Sequence, residues 1–263
     1  MRQRGTDGAD LPTMSFLDHL EELRKRLLRS VLAVALAFGV CLLFARTILD
    51  FLLRPILPLL GQDRPVFLEL TEPFLLYMKV AFLAGLFLAA PLVLYQAWAF
   101  ISPGLYPHER RYAAPFVLFA TVFFTAGGAF GYYVGFPTAA RFLLGVSQGF
   151  EANLRISSLF SFESKIILGL GLVFELPTVI YFLARIGIVT PGFLWHHFKY
   201  AVLIIFILAA VLTPTPDIVT QCVFAAPMIL LYLLGILIAH VFGRRRVAEP
   251  VPGRAPAEGG DAP

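Results

Sequence analysis

The stretch MKVAFLAGLFLAAPLVLYQAWAFI, residues 78–101, decides the fold. Beyond Lys79 it carries no charged residue. At about 1.5 Å per residue, a helix of this length crosses the roughly 30 Å hydrocarbon core of a bilayer. Working outward, five more apolar segments occupy residues 29–49, 112–137, 163–185, 198–212 and 218–242, separated by charged or Pro-rich joints. Segment 198–212 is shorter than the hydrocarbon core requires, and local bilayer thinning is one way to accommodate it. The chain as a whole is 59% hydrophobic and 14% charged, with a mean hydropathy of +0.80. Soluble domains carry about a quarter of their residues as charges, so lipid is the expected solvent. The predicted fold is all-α: one polytopic membrane domain over residues 14–246, with six transmembrane helices in a concave bundle. Residues 1–13 and 247–263, rich in Gly, Pro, Ala and charge, are predicted to be disordered tails.

An even number of spans puts both termini on one side of the membrane, and the distribution of Lys and Arg names the side. Fourteen of the 21 fall on the side of the termini, among them Arg24, Lys25, Arg26, Arg29, Arg110 and Arg111, and seven on the other. By the positive-inside rule both termini face the cytoplasm. The basic run Arg24–Arg29 ahead of an apolar segment resembles the start of a signal peptide, but the segment continues through Phe44 and Leu49 without cleavage-site polarity and reads as a retained anchor. Cys41 and Cys222 both lie in apolar stretches and are expected to be core thiols rather than a disulfide or metal pair.

Pro91, Pro115, Pro177 and Pro227 fall within the spans, where each removes a helix hydrogen bond and tends to bend its helix. Gly127, Gly128, Gly131, Gly135, Gly169 and Gly171 permit close helix approach.

Charged and polar side chains in this setting are expensive and are therefore candidates for function. Glu175, in GLVFELP, sits mid-span with apolar residues on both sides, and is either functional or a structural hydrogen-bonding group between helices. In the joint TPTPDIVTQ, Asp217 suits a helix N-cap equally well, and Gln221 lies one turn deeper. Near the N-terminus, Ser15 and Asp18 suggest a capping box opening an amphipathic helix, with Phe16, Leu20, Leu23 and Leu27 on one face at the membrane interface. Its charges form i,i+4 pairs, Glu21 with Lys25 and Glu22 with Arg26, which pattern alone reads as a solvated ladder. Glu109 lies on the same side and can pair with Arg110 or Arg111.

Enzyme classes fail on inventory. An intramembrane protease needs a mid-span serine beside a histidine, or span-interior aspartates, and neither pattern is present. His108-Glu109 begins like a zinc helix, but Tyr112 stands where the second histidine belongs. No phosphate-binding GxxxxGK loop occurs, no cofactor or metal is expected, and the modest +4 charge is a matter of topology rather than of nucleic acid. Two classes stay open on the residues alone. One is a proton-coupled secondary solute transporter, although spans 1–3 and 4–6 show no matching halves. The other is a protein-binding or protein-conducting module.

Four segments carry a resemblance. LDHLEELRKRL at 17–27, YQAWAFISPGLYPHERR at 95–111, FELP at 174–177 and TPTPDIVTQ at 213–221 are together similar to the TatC family, in the family's order and over most of the chain. The resemblance implies a non-enzymatic receptor of the twin-arginine translocase in the cytoplasmic membrane. Such a receptor binds the twin-arginine signal peptides of folded proteins at its cytoplasmic face and assembles with TatA- and TatB-type single-span partners for export driven by the proton-motive force. It also implies that Glu22 and Glu109 receive the arginine pair, that Arg24 and Phe100 support that surface, and that Glu175, Thr213, Asp217 and Gln221 serve partner docking or transport. Bidentate contact between guanidinium and carboxylate is consistent with the first assignment. The chain departs from the family pattern at Leu233, where an acidic residue commonly follows the aromatic of the sixth span.

Overall fold

The computed structural model describes residues 16–60, 65–101, 113–147, 153–213 and 217–243. Both tails, Ser15 and Glu109 lie outside the described residues. Eleven α-helices and one π-helical turn account for nearly all the described chain. The isolated bridge between Val66 and Arg155 is its one β pairing among the described residues.

Helix α1 runs unbroken over Phe16–Leu43. The amphipathic segment expected at the interface is therefore the first turns of the first span, and not a separate surface helix. Its apolar face is uncovered, with Leu20, Leu23 and Leu27 between 42% and 60% exposed. Straight-chain and leucine-rich sequence without Gly or Pro before Gly39 gives the helix no reason to break at Arg29. Helices α2 (Ala45–Leu53) and α3 (Leu57–Leu60) follow the first crossing, and α4 (Glu72–Ile101) returns along α1. The third crossing joins α5 (Ala113–Phe130), a π turn (Gly131–Gly135) and α6 (Phe136–Val146). The fourth joins α7 (Ile156–Phe174) to α8 (Leu176–Arg185). A short α9 (Pro191–His196) leads into α10 (Phe198–Leu212) and α11 (Ile218–Phe242).

Five of these helical crossings are long and apolar enough to span a membrane, and α10 is shorter. The second and fourth segments begin earlier than hydropathy suggests, at Glu72 and Ile156, because the polar residues at those ends are paired inside the fold rather than left in a loop. The proline expectations divide. Pro91 and Pro227 lie within continuous helices, Pro115 falls in the first turns of α5, and Pro177 opens α8 just after a break at Glu175.

Packing follows the glycines. A methyl on Gly127 would sit 2.5 Å from the carbonyl oxygen of Leu170, and one on Gly131 would sit 2.9 Å from Ile167 Cα, so α5 and the π turn lie almost backbone to backbone on α7. Phe136, Ile166, Leu170, Phe224 and Met228 meet in the main core cluster. Lipid-side residues complement it: Val31, Leu32, Leu36 and Val40 on α1 are all more than half exposed. Such an apolar surface is stable only in hydrocarbon. Cys41 is buried as expected, but Cys222 is exposed on α11. An apolar stretch places a thiol in the bilayer without saying whether it faces protein or lipid.

Candidate functional site

The first candidate site lies on the seam between the start of α1 and the end of α4. His19 stacks on Phe100, ring centroids 4.5 Å apart, fixing the two helices at that end. One turn on, Glu22 Oε1 accepts from Arg26 Nε at 3.0 Å and from Arg26 Nη2 at 2.7 Å. Arg26 Nη1 reaches Gln96 Oε1 on α4 at 3.4 Å, and Ser30 Oγ donates to the Arg26 carbonyl.

The two predicted i,i+4 pairs are present and differ in kind. Glu21 and Lys25, 2.7 Å apart, are both 62% exposed and form the solvated ladder. Glu22 and Arg26 are only 18% and 21% exposed, and the second oxygen of Glu22, Oε2, is buried without a hydrogen-bond partner among the described residues. Glu22 and Arg26 line a cleft of about 340 Å³ with Asp18, Glu21, Lys25 and Arg29. Of the three carboxylates lining the cleft, Asp18 and Glu21 are exposed. Glu22 is the one partly buried and held from one side with a lone pair unspent, an arrangement suited to sharing its charge with a further guanidinium. Arg24 is exposed and lies outside this lining.

The second group of predicted residues separates into two places. Thr213 ends α10, and Asp217 and Gln221 lie in the first turn of α11. Asp217 Oδ1 accepts from Thr220 N at 2.6 Å as the N-cap of α11. Gln221 Nε2 donates to the Phe206 carbonyl at 3.0 Å and ties α11 to α10. Buried Thr213 spends its hydroxyl on Ala209 O, in its own helix. Glu175 stands apart at the junction of α7 and α8, where Glu175 N still donates to Leu172 O and Val179 N to Glu175 O. Its Oε1 and the hydroxyl of Thr178 are both buried and unpartnered among the described residues. Pro177 supplies no backbone N–H, which accounts for the interruption between α7 and α8 at the acid.

Sequence reasoning missed two charged groups. Glu163, taken as the edge of a span, lies two turns inside α7 with no exposure, and neither carboxyl oxygen has a partner among the described residues. The signal in FESKIIL was weak, because Ser164 and Lys165 follow the acid and make it read as the polar edge of a span, whereas the helix starts seven residues earlier. At the other end of the molecule from Glu22, Glu72 Oε2 accepts from Arg155 Nε and from Leu68 N, both at 3.0 Å, while Oε1 accepts from Ser157 N at 3.1 Å. Arg155 Nη2 also reaches Glu69 Oε1 at 3.0 Å. Hydrogen bonds to Glu72 and then Glu69 hold the Arg155 guanidinium even more firmly charged than usual. This cluster pins the segment after residue 65 to the start of α7. A contact across more than 80 residues leaves no local pattern in the sequence.

The fold defines a helical, multi-pass integral membrane protein with polar groups set at its two ends and within the bundle. The profile of the Sec-independent protein translocase protein (TatC) family matches residues 18–227, and the chain belongs to that family. A Sec-independent protein translocase protein TatC from Koribacter versatilis is 49% identical over 246 residues, covering 91% of each chain. One from Helicobacter pylori is 42% identical over 224 residues, covering 85% of this chain and 86% of that protein. A crystal structure of the twin-arginine translocase receptor TatC superposes with a TM-score of 0.73 at 34% identity, over 85% of this chain and 98% of that one. A second, of the receptor in DDM, gives 0.75 at 35% identity. Membership in a protein translocase family leaves the solute-transporter alternative without support.

Proposed function

We propose that this chain binds the twin-arginine signal peptides of folded proteins at the cytoplasmic face of the membrane, through Glu22 and Glu109, with Arg24 and Phe100 supporting the surface. In this reading the chain crosses the bilayer six times with both termini inside. It gathers TatA- and TatB-type single-span partners, with Glu175, Thr213, Asp217 and Gln221 as candidate contacts, for transport driven by the proton-motive force.

The observation that carries the reading is the state of Glu22: partly buried, oriented by Arg26 and Gln96, and left with one unpartnered oxygen. An incoming arginine finds a carboxylate already desolvated, where a charge-assisted bond contributes about 1.5–3 kcal/mol. Arg26 competes for the same acid, so a signal arginine exchanges with it or shares the carboxylate. The His19–Phe100 stack supports the reading by holding α1 against α4 beside the cleft.

The test is equilibrium binding of a labelled twin-arginine signal peptide to the full chain in detergent, beside a twin-lysine version. Loss of one such bond corresponds to roughly tenfold to a hundredfold weaker binding for Glu22→Ala and for Glu109→Ala. Glu21→Ala, in the exposed ladder, leaves affinity within about twofold, since surface pairs contribute little. Equal affinity for both peptides, unaffected by either substitution, returns Glu22 to a structural ion pair.

A further inference from the structure

Helix α10 is too short to cover α7. Its last residue, Leu212, packs where a methyl on Gly169 would sit. The α7 helix runs on for thirteen more residues beyond that point to Ile156, about 20 Å at 1.5 Å per residue. The uncovered stretch borders a cleft of about 660 Å³ walled by Leu143 and Leu144 of α6 and by Val211 and Leu212 of α10. That volume lies within the range of ordinary small-molecule sites.

Two cations line the cleft, Arg155 and Lys165. Arg155 is committed to Glu69 and Glu72. Lys165 is exposed and has no carboxylate partner among the described residues. It lies nine residues into α7, about 14 Å from the helix end, within a segment apolar enough to span the membrane. An ammonium at that depth is costly unless something neutralises it. Ser158, also exposed, lies seven residues earlier and therefore on the same face of α7. The cleft thus presents one free positive charge, a hydroxyl in line with it, and apolar walls, and it opens sideways where α10 stops.

The geometry points to a binding site for one anionic phospholipid, its phosphodiester on Lys165 and Ser158 and its acyl chain along the leucines of α6 and α10. Charge complementarity selects the headgroup. Among the described residues lining the cleft there is no carboxylate, so the ammonium of a zwitterionic headgroup finds no anionic partner there, whereas a singly anionic headgroup neutralises Lys165 alone. The site is separate from the Glu22 cleft, and the inference stands whether or not that cleft binds signal peptides.

Native mass spectrometry of the delipidated full chain in detergent, titrated with phosphatidylglycerol, phosphatidylethanolamine or diacylglycerol, tests the assignment. One phosphatidylglycerol per chain is expected, held about tenfold more tightly than diacylglycerol, a difference of one modest charge interaction. Lys165→Gln should bring the two lipids level, Lys165→Arg should keep the preference, and Leu143→Trp, which fills the apolar wall without touching the charge, should weaken both. Excess inorganic phosphate should leave the bound lipid in place. The proposal is overturned if Lys165→Gln retains phosphatidylglycerol like the unsubstituted chain, or if phosphate alone displaces the lipid. It is equally overturned if Lys165→Gln releases a copurifying single-span protein while lipid retention is unchanged, since the cleft is then a protein interface.

Discussion

Glu22 and Glu163 are both acids on helices, and their surroundings give them opposite meanings. Glu22 is oriented by an arginine at the edge of the bundle and opens to a cleft; Glu163 is enclosed, with both oxygens unpartnered among the described residues. Burying a polar group without a hydrogen bond costs about 1–3 kcal/mol by mutational measures. Glu163→Leu, close in volume, is therefore expected to raise the thermal midpoint of the detergent-purified chain by a few degrees. A drop in that midpoint would mean that the carboxyl holds a partner such as an ordered water and contributes to stability. Glu72 is the contrasting case, since three hydrogen bonds converge on it. Glu72→Ala should speed amide hydrogen exchange through residues 65–71 and 155–158 while leaving α1 and α11 unchanged, and exchange identical to that of the unsubstituted chain would remove its pinning role.

At the level of elements, the third and fourth crossings depend on backbone contact. Gly131 is the position where this is most exposed to test, because a methyl there meets the Cα of Ile167 and backbone atoms cannot rotate aside. Overpacking of this kind costs about 1–3 kcal/mol, so Gly131→Ala should lower the thermal midpoint clearly, whereas Gly145→Ala, with open space around it, should not. Equal midpoints for the two variants would show that α5 and α7 separate at little cost. The π turn that begins at Gly131 is braced by Tyr132, whose hydroxyl donates to the Phe51 carbonyl at 2.6 Å and joins α2 to the third crossing. Six apolar segments were legible in hydropathy alone, and so were the glycines that let them approach. The joint at Glu175 and the π turn were not, because a helix break in an apolar run depends on what packs around it.

For the molecule as a whole, orientation in the membrane follows from charge outside the bundle and is open to direct measurement. In a chain with Cys41 and Cys222 replaced by serine, single cysteines at Leu70, which is 96% exposed, and at Phe242 report the two ends. A membrane-impermeant maleimide added to intact cells is expected to label position 70 and to spare position 242 until the membrane is opened. The reverse pattern would invert the topology and put Glu22 on the wrong side for an incoming signal peptide. The same two-ended architecture separates Glu22, near the start of α1, from the Glu69–Arg155–Glu72 cluster near the start of α4.

The sequence alone determined that this is a helical membrane protein, roughly where its crossings lie, and which family its four polar segments resemble. Those properties rest on composition, run length and local spelling, which need no knowledge of neighbours. Only the tertiary structure distinguished Glu22 from Glu21, separated Glu175 from Thr213, Asp217 and Gln221, buried Glu163 and left Lys165 uncovered beyond the end of α10. Each of these depends on which groups are brought together from distant parts of the chain, and in a bilayer the absence or presence of such a partner decides whether a charge is structural or available.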